Sequence, residues 1–181
     1  MANLRDLMER SVELYGDNIA FTIKHSAGIY TNISYRAYVE EAKALGTAMI
    51  NEGMAGSRIA LFGKNSYNWF LAMSAVYLTA GIVVPLDKEL EYDEFENSLI
   101  RGEVDYIFYD EKQKAKVEQA LASGNTMVKA AIPLFDAEEG KTLSKMKAAG
   151  VTAMKRSKAI KEVEIDDNAV AMLLFTSGTT S

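Results

Sequence analysis

The stretch that decides the fold spans residues 58–85 and reads RIALFGKNSYNWFLAMSAVYLTAGIVVP. It opens with the short apolar run Arg58 to Phe62, which is typical of a buried strand. The segment from about Tyr67 to Ala80 is predicted to be a helix that Gly81 ends. The β-branched run Ile82-Val83-Val84 then predicts a second strand. Strand, helix and strand in this order form the βαβ unit, which builds a parallel sheet.

A membrane span is the alternative interpretation of part of this stretch. Trp69 to Leu86 is 18 residues long and carries no charge, which is just long enough to cross a bilayer. Gly81 interrupts the run and the β-branched residues follow at once. A buried helix followed by a buried strand is therefore the preferred interpretation.

Helices and strands also alternate outward from this unit. Ser34 is predicted to cap an amphipathic helix that Gly53 ends. Ala169 to Phe175 is a continuous apolar run, which predicts a strand buried on both faces. The other predicted elements are a helix after Asn3, a hairpin of Ile19–Lys24 and Ile29–Ile33 around Ser26–Gly28, helices over 91–100, 110–122 and 141–149, and strands over 105–109 and 128–135.

These elements predict one α/β domain over residues 1–181, with a mainly parallel sheet flanked by helices and a small N-terminal helix and hairpin. Asp110-x-x-Gln113 resembles a capping box that opens one of the helices. Sheets of this kind bind ligands at the carboxyl ends of their strands. The functional residues are therefore expected where strands end.

Composition excludes several classes of function. The chain has no cysteine and one histidine, His25, so disulfides, zinc–thiolate sites and cysteine nucleophiles are excluded. A formal net charge of −5 argues against nucleic acid as the main partner. The charged first ten residues do not form a signal peptide. Together these features predict a cytoplasmic protein without a transmembrane segment.

The charges are unevenly distributed. Asp87 to Glu96 holds six acids and one lysine, whereas Lys141 to Lys161 holds seven bases and no acid. Solvated helix faces and loops explain both stretches. The alternative is that the basic stretch attracts an anionic ligand to the loop after Phe175.

That loop is the segment with the clearest chemistry. Phe175 is followed by Thr176, Ser177, Gly178, Thr179 and Thr180, directly after the most apolar predicted strand. Consecutive backbone N–H groups in such a loop can form an anion-binding nest, and glycine permits a close backbone approach. The chain contains neither a Walker loop nor a G-x-G-x-x-G motif. A plain turn is the alternative interpretation.

The loop and four other blocks resemble one family, the acyl-adenylate-forming enzymes. The resemblance extends over nearly the whole chain, in order and spacing, and is greatest to bacterial long-chain fatty-acid–CoA ligases. It rests on Leu174 to Thr180 as the phosphate loop, Ile33 to Val39 as a helix start, Gly56 to Leu61 as a strand, and the blocks Lys64 to Trp69 and Gly81 to Asp87.

The resemblance implies a function for a longer parent enzyme. Such an enzyme activates a carboxylic acid, here a fatty acid, with ATP and Mg²⁺ to acyl-adenylate and pyrophosphate, and then forms a thioester with coenzyme A. Thr176, Ser177, Gly178, Thr179 and Thr180 would hold the nucleotide phosphates. Ser181 replaces the usual glycine. The resemblance places the loop's lysine, the glutamate that helps to hold magnesium and the catalytic lysine after Ser181, so this chain is expected to supply no catalytic or metal-binding residue.

The chain by itself is therefore expected to be inactive, with no bound cofactor, and to self-associate through apolar surface that the rest of the parent would cover. The alternatives are a stand-alone α/β binding or interaction module without catalysis and a stand-alone phosphate- or nucleotide-binding protein. Tyr67, Trp69 and Phe70 are interpreted as core, with an acyl pocket as the alternative. Asn65 is interpreted as a helix-start residue, with a ligand-binding residue at a strand end as the alternative. His25 is interpreted as a hydrogen-bonded surface residue.

Overall fold

The computed structural model describes residues 3–176 and confirms the alternation of helices and strands. Within these residues the helices are α1 (Leu4–Tyr15), α2 (Tyr35–Asn51), α3 (Tyr67–Leu78), α4 (Tyr92–Arg101), α5 (Lys114–Ser123), α6 (Leu143–Met154) and α7 (Ala159–Glu162). The strands are β1 (Ile19–Lys24), β2 (Tyr30–Ser34), β3 (Arg58–Phe62), β4 (Ile82–Leu86), β5 (Tyr106–Tyr109) and β6 (Ala130–Pro133).

The main sheet is four-stranded and parallel, in the order β4-β3-β5-β6. β3 lies between two partners: Ala60 is level with Val84 of β4 and with Ile107 of β5. The crossover from β4 to β5 passes over β3, because β5 pairs with the far side of that strand. A parallel α/β sheet, as predicted, is therefore confirmed.

Helices cover both faces of this sheet. Strand residues alternate between the faces, as the pleat requires: Ile59 and Leu61 belong to one core cluster, and Ala60 and Phe62 belong to the other. α2, α3, α6 and α7 supply the first cluster, and α4 and α5 supply the second. This arrangement explains why β3 reads as a continuous apolar run.

The N-terminal part packs on the first face as a helix and an antiparallel hairpin, β1–β2. Asn3 caps α1 by accepting a hydrogen bond from the Asp6 amide at 3.1 Å. Ser34 caps α2 by accepting one from the Ala37 amide at 3.2 Å. Both caps were predicted from the preference for Asn and Ser before a helical run. The hairpin inserts Phe21 against the α2–α3 pair, 4.8 Å from the ring centre of Tyr38.

The structure corrects the prediction for Ala169 to Phe175. This segment is not a strand buried on both faces: it forms one isolated bridge, from Met172 to Val83, on the outer side of β4. Val170 and Leu174 are 60% and 64% exposed. The apolar run suggested an interior strand, but in the described part of the chain nothing pairs with its outer edge.

Two local predictions are also corrected. The left-handed residue after α3 is Ala80, with φ 55°, and not Gly81. The Gly81 amide still closes the helix by donating to Val76 O at 2.9 Å, which is the Schellman arrangement. Asp110 caps a short 3₁₀ turn through the Lys112 amide, but Gln113 donates to Lys88 O and does not close a capping box.

Candidate functional site

The predicted phosphate loop begins at the carboxyl edge of the sheet. Val83 N donates to Ala171 O at 3.0 Å, and Leu173 N donates to Val83 O at 2.9 Å. The segment therefore runs parallel to β4 and emerges with it at the edge where ligands bind in such sheets. Thr176 lies there and is exposed. Ser177, Gly178, Thr179 and Thr180 lie outside the described residues.

A crevice of about 600 Å³ opens at the same edge, between the ends of β3 and β4. It is lined by Gly63, Lys64, Asn65, Trp69, Pro85, Leu86, Asp87 and Lys88. Met172 pairs with Val83 on the side of β4 that faces away from β3. The crevice and the segment that leads into the predicted loop therefore lie on opposite sides of β4.

The crevice exists because the connections after β3 and β4 diverge. The chain leaves β3 for α3 on the first face of the sheet and leaves β4 for α4 on the second face. Adjacent strands whose following helices lie on opposite faces leave a gap at their carboxyl ends, which is the usual ligand position in α/β sheets.

The equivalent gap between β3 and β5 is closed by Asp110. Its carboxylate accepts hydrogen bonds from the Lys64 amide at 2.8 Å and the Lys112 amide at 3.0 Å. A Cβ at Gly63 would lie 2.9 Å from the Asp110 carboxyl group, so the turn fits against Asp110 only as glycine. Asp110 thus holds the Gly63–Asn65 loop, which forms one wall of the open crevice.

The crevice carries groups of both charges beside an aromatic ring. Lys64 and Lys88 bring ammonium groups, Asp87 brings a carboxylate, Asn65 brings an amide and Trp69 brings the ring. Lys88 is already paired with Glu89. A hydrogen bond with Glu89 raises the pKa of Lys88, so its ammonium group is charged at neutral pH. The buried Nε1 of Trp69 has no hydrogen-bond partner within residues 3–176, which leaves one donor uncommitted.

The aromatic residues of α3 serve two different purposes. Tyr67 and Phe70 pack with Phe21, at ring-centre distances of 5.3 and 5.9 Å, which supports their interpretation as core. Burial is the main cause that raises the pKa of Tyr67, so the phenol stays protonated and donates to Glu41 Oε2 at 3.0 Å. Trp69 instead lies between the core and the crevice.

Asn65 combines both interpretations that the sequence allowed. It precedes Ser66, which caps α3 by accepting from the Trp69 amide at 3.2 Å, and it also lines the crevice. Lys64 and Lys88 were not singled out from the sequence. Their positions shortly after Phe62 and Val84, the ends of two predicted strands, were the signal that could have identified them.

Other polar residues have structural partners. His25 Nε2 lies 2.9 Å from Thr31 Oγ1 across the hairpin, as expected for a hydrogen-bonded surface histidine. Asp105 lies at the opposite edge of the sheet, where it accepts from the Arg58 amide at 2.9 Å and from Lys129 Nζ at 2.7 Å. Although desolvation opposes them, these contacts hold the pKa of Asp105 below its usual range.

Within residues 3–176, no three of the His, Cys, Asp and Glu side chains are grouped so that they could hold a metal ion. Over the same residues, no helix is both long enough and apolar enough to cross a bilayer.

Comparison with known protein families identifies the chain. Residues 8–181 match the family described as AMP-binding enzyme. The chain belongs to this family. The family resemblance drawn from the sequence is thereby confirmed.

Individual proteins are similar to this chain in sequence or in structure. A long-chain-fatty-acid–CoA ligase 1 from Cavia porcellus is 23% identical over 193 residues, which cover 98% of this chain and 27% of that protein. The crystal structure of a long-chain-fatty-acid–CoA ligase from Archaeoglobus fulgidus superposes with a TM-score of 0.75 at 17% identity, over 97% of this chain and 34% of that one. A mutant form of coronafacic acid ligase from Pectobacterium brasiliense gives a TM-score of 0.78 at 17% identity, over 96% and 33%.

The two structural comparisons show that this chain shares the fold of the matching parts of those proteins. The chain spans about a quarter of the Cavia porcellus relative (27%) and about a third of the two solved structures.

Proposed function

We propose that the chain is the N-terminal portion of the AMP-binding domain of an AMP-forming acyl-CoA ligase. The parent enzyme converts a carboxylate and ATP to acyl-AMP and pyrophosphate, and then transfers the acyl group to the sulfur of coenzyme A with release of AMP. The observation that carries this proposal is the family match together with the emergence of Thr176 at the carboxyl edge of the sheet.

The proposed role of Thr176, Ser177, Gly178, Thr179 and Thr180 is to hold the β- and γ-phosphates. Backbone N–H groups and hydroxyls would donate to the phosphate oxygens as charge develops on the leaving pyrophosphate. Mg²⁺ would neutralise phosphate charge in the parent enzyme. The described part of this chain offers no carboxylate cluster for it, so we assign the metal-binding residue to another part of the parent.

The proposed acyl substrate is a long-chain fatty acid. The support is the similarity to the long-chain-fatty-acid–CoA ligase 1 of Cavia porcellus, which extends over nearly the whole chain. ATP, Mg²⁺ and coenzyme A are the proposed co-substrates and cofactor of the parent, and we propose a cytoplasmic location without nucleic acid as a partner.

The chain by itself is proposed to be inactive. A loop without the lysine expected after it has too few donors to offset the loss of freedom of a bound nucleotide. A dissociation constant for ATP in the micromolar range, measured on the 181-residue chain, would contradict this proposal.

A non-catalytic binding module is the second candidate, because the crevice lies wholly within this chain. The gene discriminates between the two. A reading frame that continues past Ser181 with a lysine within a few residues favours the ligase, whereas a stop codon directly after Ser181 favours the module.

The deciding experiment is acid-dependent release of AMP and pyrophosphate by the longest polypeptide that the gene encodes. The assay would contain ATP, Mg²⁺, coenzyme A and a panel of short, long-chain and aromatic acids. In an active enzyme, Thr179→Ala is expected to lower kcat on the order of 100-fold, as for other preorganised donors. Thr152→Ala, on the exposed side of α6, is the matched control. No release with any acid from a folded polypeptide would refute the ligase assignment.

A further inference from the structure

Another cavity lies at the amino edge of the sheet, opposite the edge at which the crevice opens. Its volume is about 360 Å³, near the lower end of the range for small-molecule pockets. It is bounded by α1, by the turn of Ala80 and Gly81 into β4, and by the chain over residues 165–171. We call it the amino-edge cavity. One of its walls therefore leads toward the predicted phosphate loop.

Most of the lining of the amino-edge cavity is apolar. Leu4 and Leu7 of α1 line it together with Ala169, Val170 and Ala171. Leu7 and Val170 are 45% and 60% exposed. An alkyl chain that lies between α1 and residues 169–171 would remove this apolar surface from water, which favours binding.

Tyr77 of α3 adds a hydrogen-bonding group to this lining. The residue is only 9% exposed, and its hydroxyl has no hydrogen-bond partner within residues 3–176. Burial raises the pKa of the Tyr77 phenol, so the hydroxyl is protonated at neutral pH and can donate. Most buried tyrosine hydroxyls have a hydrogen-bond partner. An acceptor on a bound ligand would therefore satisfy this donor.

The charges at the rim of the cavity disfavour an anionic ligand. The charged residues of the lining are Asp166, Asp167 and Arg5. Arg5 is already engaged, because its guanidinium donates to Val163 O at 2.8 Å and to Leu78 O at 3.0 Å. Two carboxylates against one base leave the rim with a net negative charge, which repels a carboxylate on a ligand. The ligand is therefore expected to be uncharged.

Side-chain hydrogen bonds hold the walls of the cavity together. Asn3 Nδ2 donates to Asp167 Oδ1 at 2.8 Å, which links the start of α1 to the chain over residues 165–171. The two bonds of Arg5 link α1 to the end of α3 and to Val163. The cavity is therefore formed before a ligand binds, as is usual for small-molecule sites.

We propose that the amino-edge cavity binds an uncharged acyl compound, such as a fatty amide or ester. The alkyl chain would lie along Leu4, Leu7 and Val170, and the carbonyl oxygen would accept a hydrogen bond from the Tyr77 hydroxyl. The same ligand would stabilise the pairing of residues 169–173 with β4, because it contacts that segment. The proposal rests on the proposed function only for its consequence, which is that the bound compound would order the approach to the phosphate loop in the parent enzyme.

Isothermal titration calorimetry of the 181-residue chain tests the proposal and does not depend on catalysis. The probes are octanamide and octanoate, which have the same chain and nearly the same size but differ in charge at neutral pH. Octanamide is expected to bind at one site, and octanoate at least about 10-fold more weakly, because it brings a further carboxylate to the rim. Tyr77→Phe removes no hydrogen bond from the described residues and should fold. It is expected to weaken octanamide binding about 5-fold.

Tyr109→Phe is the matched control, because Tyr109 is 7% exposed and belongs to the second core cluster, on the other face of the sheet. It is expected to leave octanamide binding unchanged. Equal weakening by the two tyrosine variants would overturn the proposal. So would an absence of octanamide binding, or binding of octanoate or octylamine that is as tight as that of octanamide.

Hydrogen exchange extends the test to the longest polypeptide that the gene encodes. Leu173 N donates to Val83 O at 2.9 Å, and octanamide is expected to slow exchange at this amide, with a smaller effect in Tyr77→Phe. Unchanged exchange would show that another part of the parent fills the cavity, and would overturn the proposal. Failure of the ligase assay with Tyr77-dependent binding retained would leave this inference standing.

Discussion

β3 and the segment Ala169–Phe175 are both apolar runs that pair with β4, yet β3 is fully buried along most of its length and the segment is only partly buried. In β3, Ile59, Ala60, Leu61 and Phe62 are all 0% exposed. β3 has a hydrogen-bonded strand on each side and helices over both faces. The Ala169–Phe175 segment has one bridge to β4. The comparison teaches that pairing on both edges buries a run, and that hydrophobicity alone does not.

The largest expected difference between the two regions is in the effect of a leucine-to-alanine substitution on the free energy of unfolding. Leu61→Ala in β3 is expected to lower the free energy of unfolding by about 2–5 kcal/mol, because it removes buried methyl groups and leaves a cavity. Leu174→Ala, at a side chain that is 64% exposed, is expected to change it by less than about 0.5 kcal/mol. Urea unfolding of both variants measures the difference. Equal losses would show that the edge segment is as well packed as the centre.

The turn into β4, the strand that lies between β3 and Ala169–Phe175, offers a second test. Here a substitution is expected to raise the free energy of unfolding, by a smaller amount. Ala80 adopts a left-handed conformation, with φ 55°, which costs a non-glycine residue about 1 kcal/mol. Ala80→Gly is therefore expected to stabilise the protein by up to about 1 kcal/mol. Gly81→Ala is the matched reverse change, since its Cβ would lie 2.8 Å from Val76 Cγ1 and 2.9 Å from Ser57 O, and it is expected to destabilise. Thermal unfolding of both variants measures the two changes in stability. A less stable Ala80→Gly variant would contradict this assignment of the turn.

The backbone at the amino end of β3 is held by the charged side chain of Asp105. Asp105 accepts from the Arg58 amide and its pKa is lowered in the folded state. A carboxyl group with a lowered folded pKa stabilises above its unfolded pKa of about 3.9. That contribution is lost as the pH falls through the folded pKa.

Asp105→Asn is therefore expected to reduce stability at neutral pH and to flatten the loss of stability below about pH 4. The effect should be smaller than that of Leu61→Ala, because Lys129 is largely exposed to solvent. Chemical denaturation at several pH values gives the slope of the free energy of unfolding against pH for each protein. Identical slopes for the variant and the unaltered chain would show that Asp105 does not contribute to the loss of stability in acid.

The last substitution is expected to change the self-association of the chain and to have the smallest effect on its stability. The outer backbone edge of Ala169–Phe175 is unpaired within residues 3–176, and such edges pair with other chains. We expect the chain to self-associate at high concentration. Leu174→Lys should reduce the association while leaving the free energy of unfolding within about 0.5 kcal/mol. Light scattering that shows a monomer for the unaltered chain at high concentration would contradict the prediction.

Much of the fold could be predicted from the sequence, for reasons that specific residues show. The βαβ pattern over residues 58–85 is local, and the observed bounds of β3 and α3 agree with it within two residues. The caps at Asn3 and Ser34 were also predictable, because a side chain that bonds an amide three residues ahead is a local interaction.

The candidate site was only partly predictable. Thr176 was selected because it follows an apolar run, and it does lie at the carboxyl edge. The roles of Ser177 to Thr180 stay a prediction. The closure of the β3–β5 gap by Asp110 could not be read from the sequence, since Lys64 and Asp110 are 46 residues apart and meet only because β3 and β5 pair.

By itself the sequence determined the type and order of the elements from α1 to α6, the family and the two helix caps, because periodicity, capping and motif spacing act over a few residues. The tertiary structure alone decided the strand order, which crevice stays open and which apolar run is buried. Those features depend on the strands that flank each run and on the face to which each helix returns. Contacts between residues far apart in the chain set both.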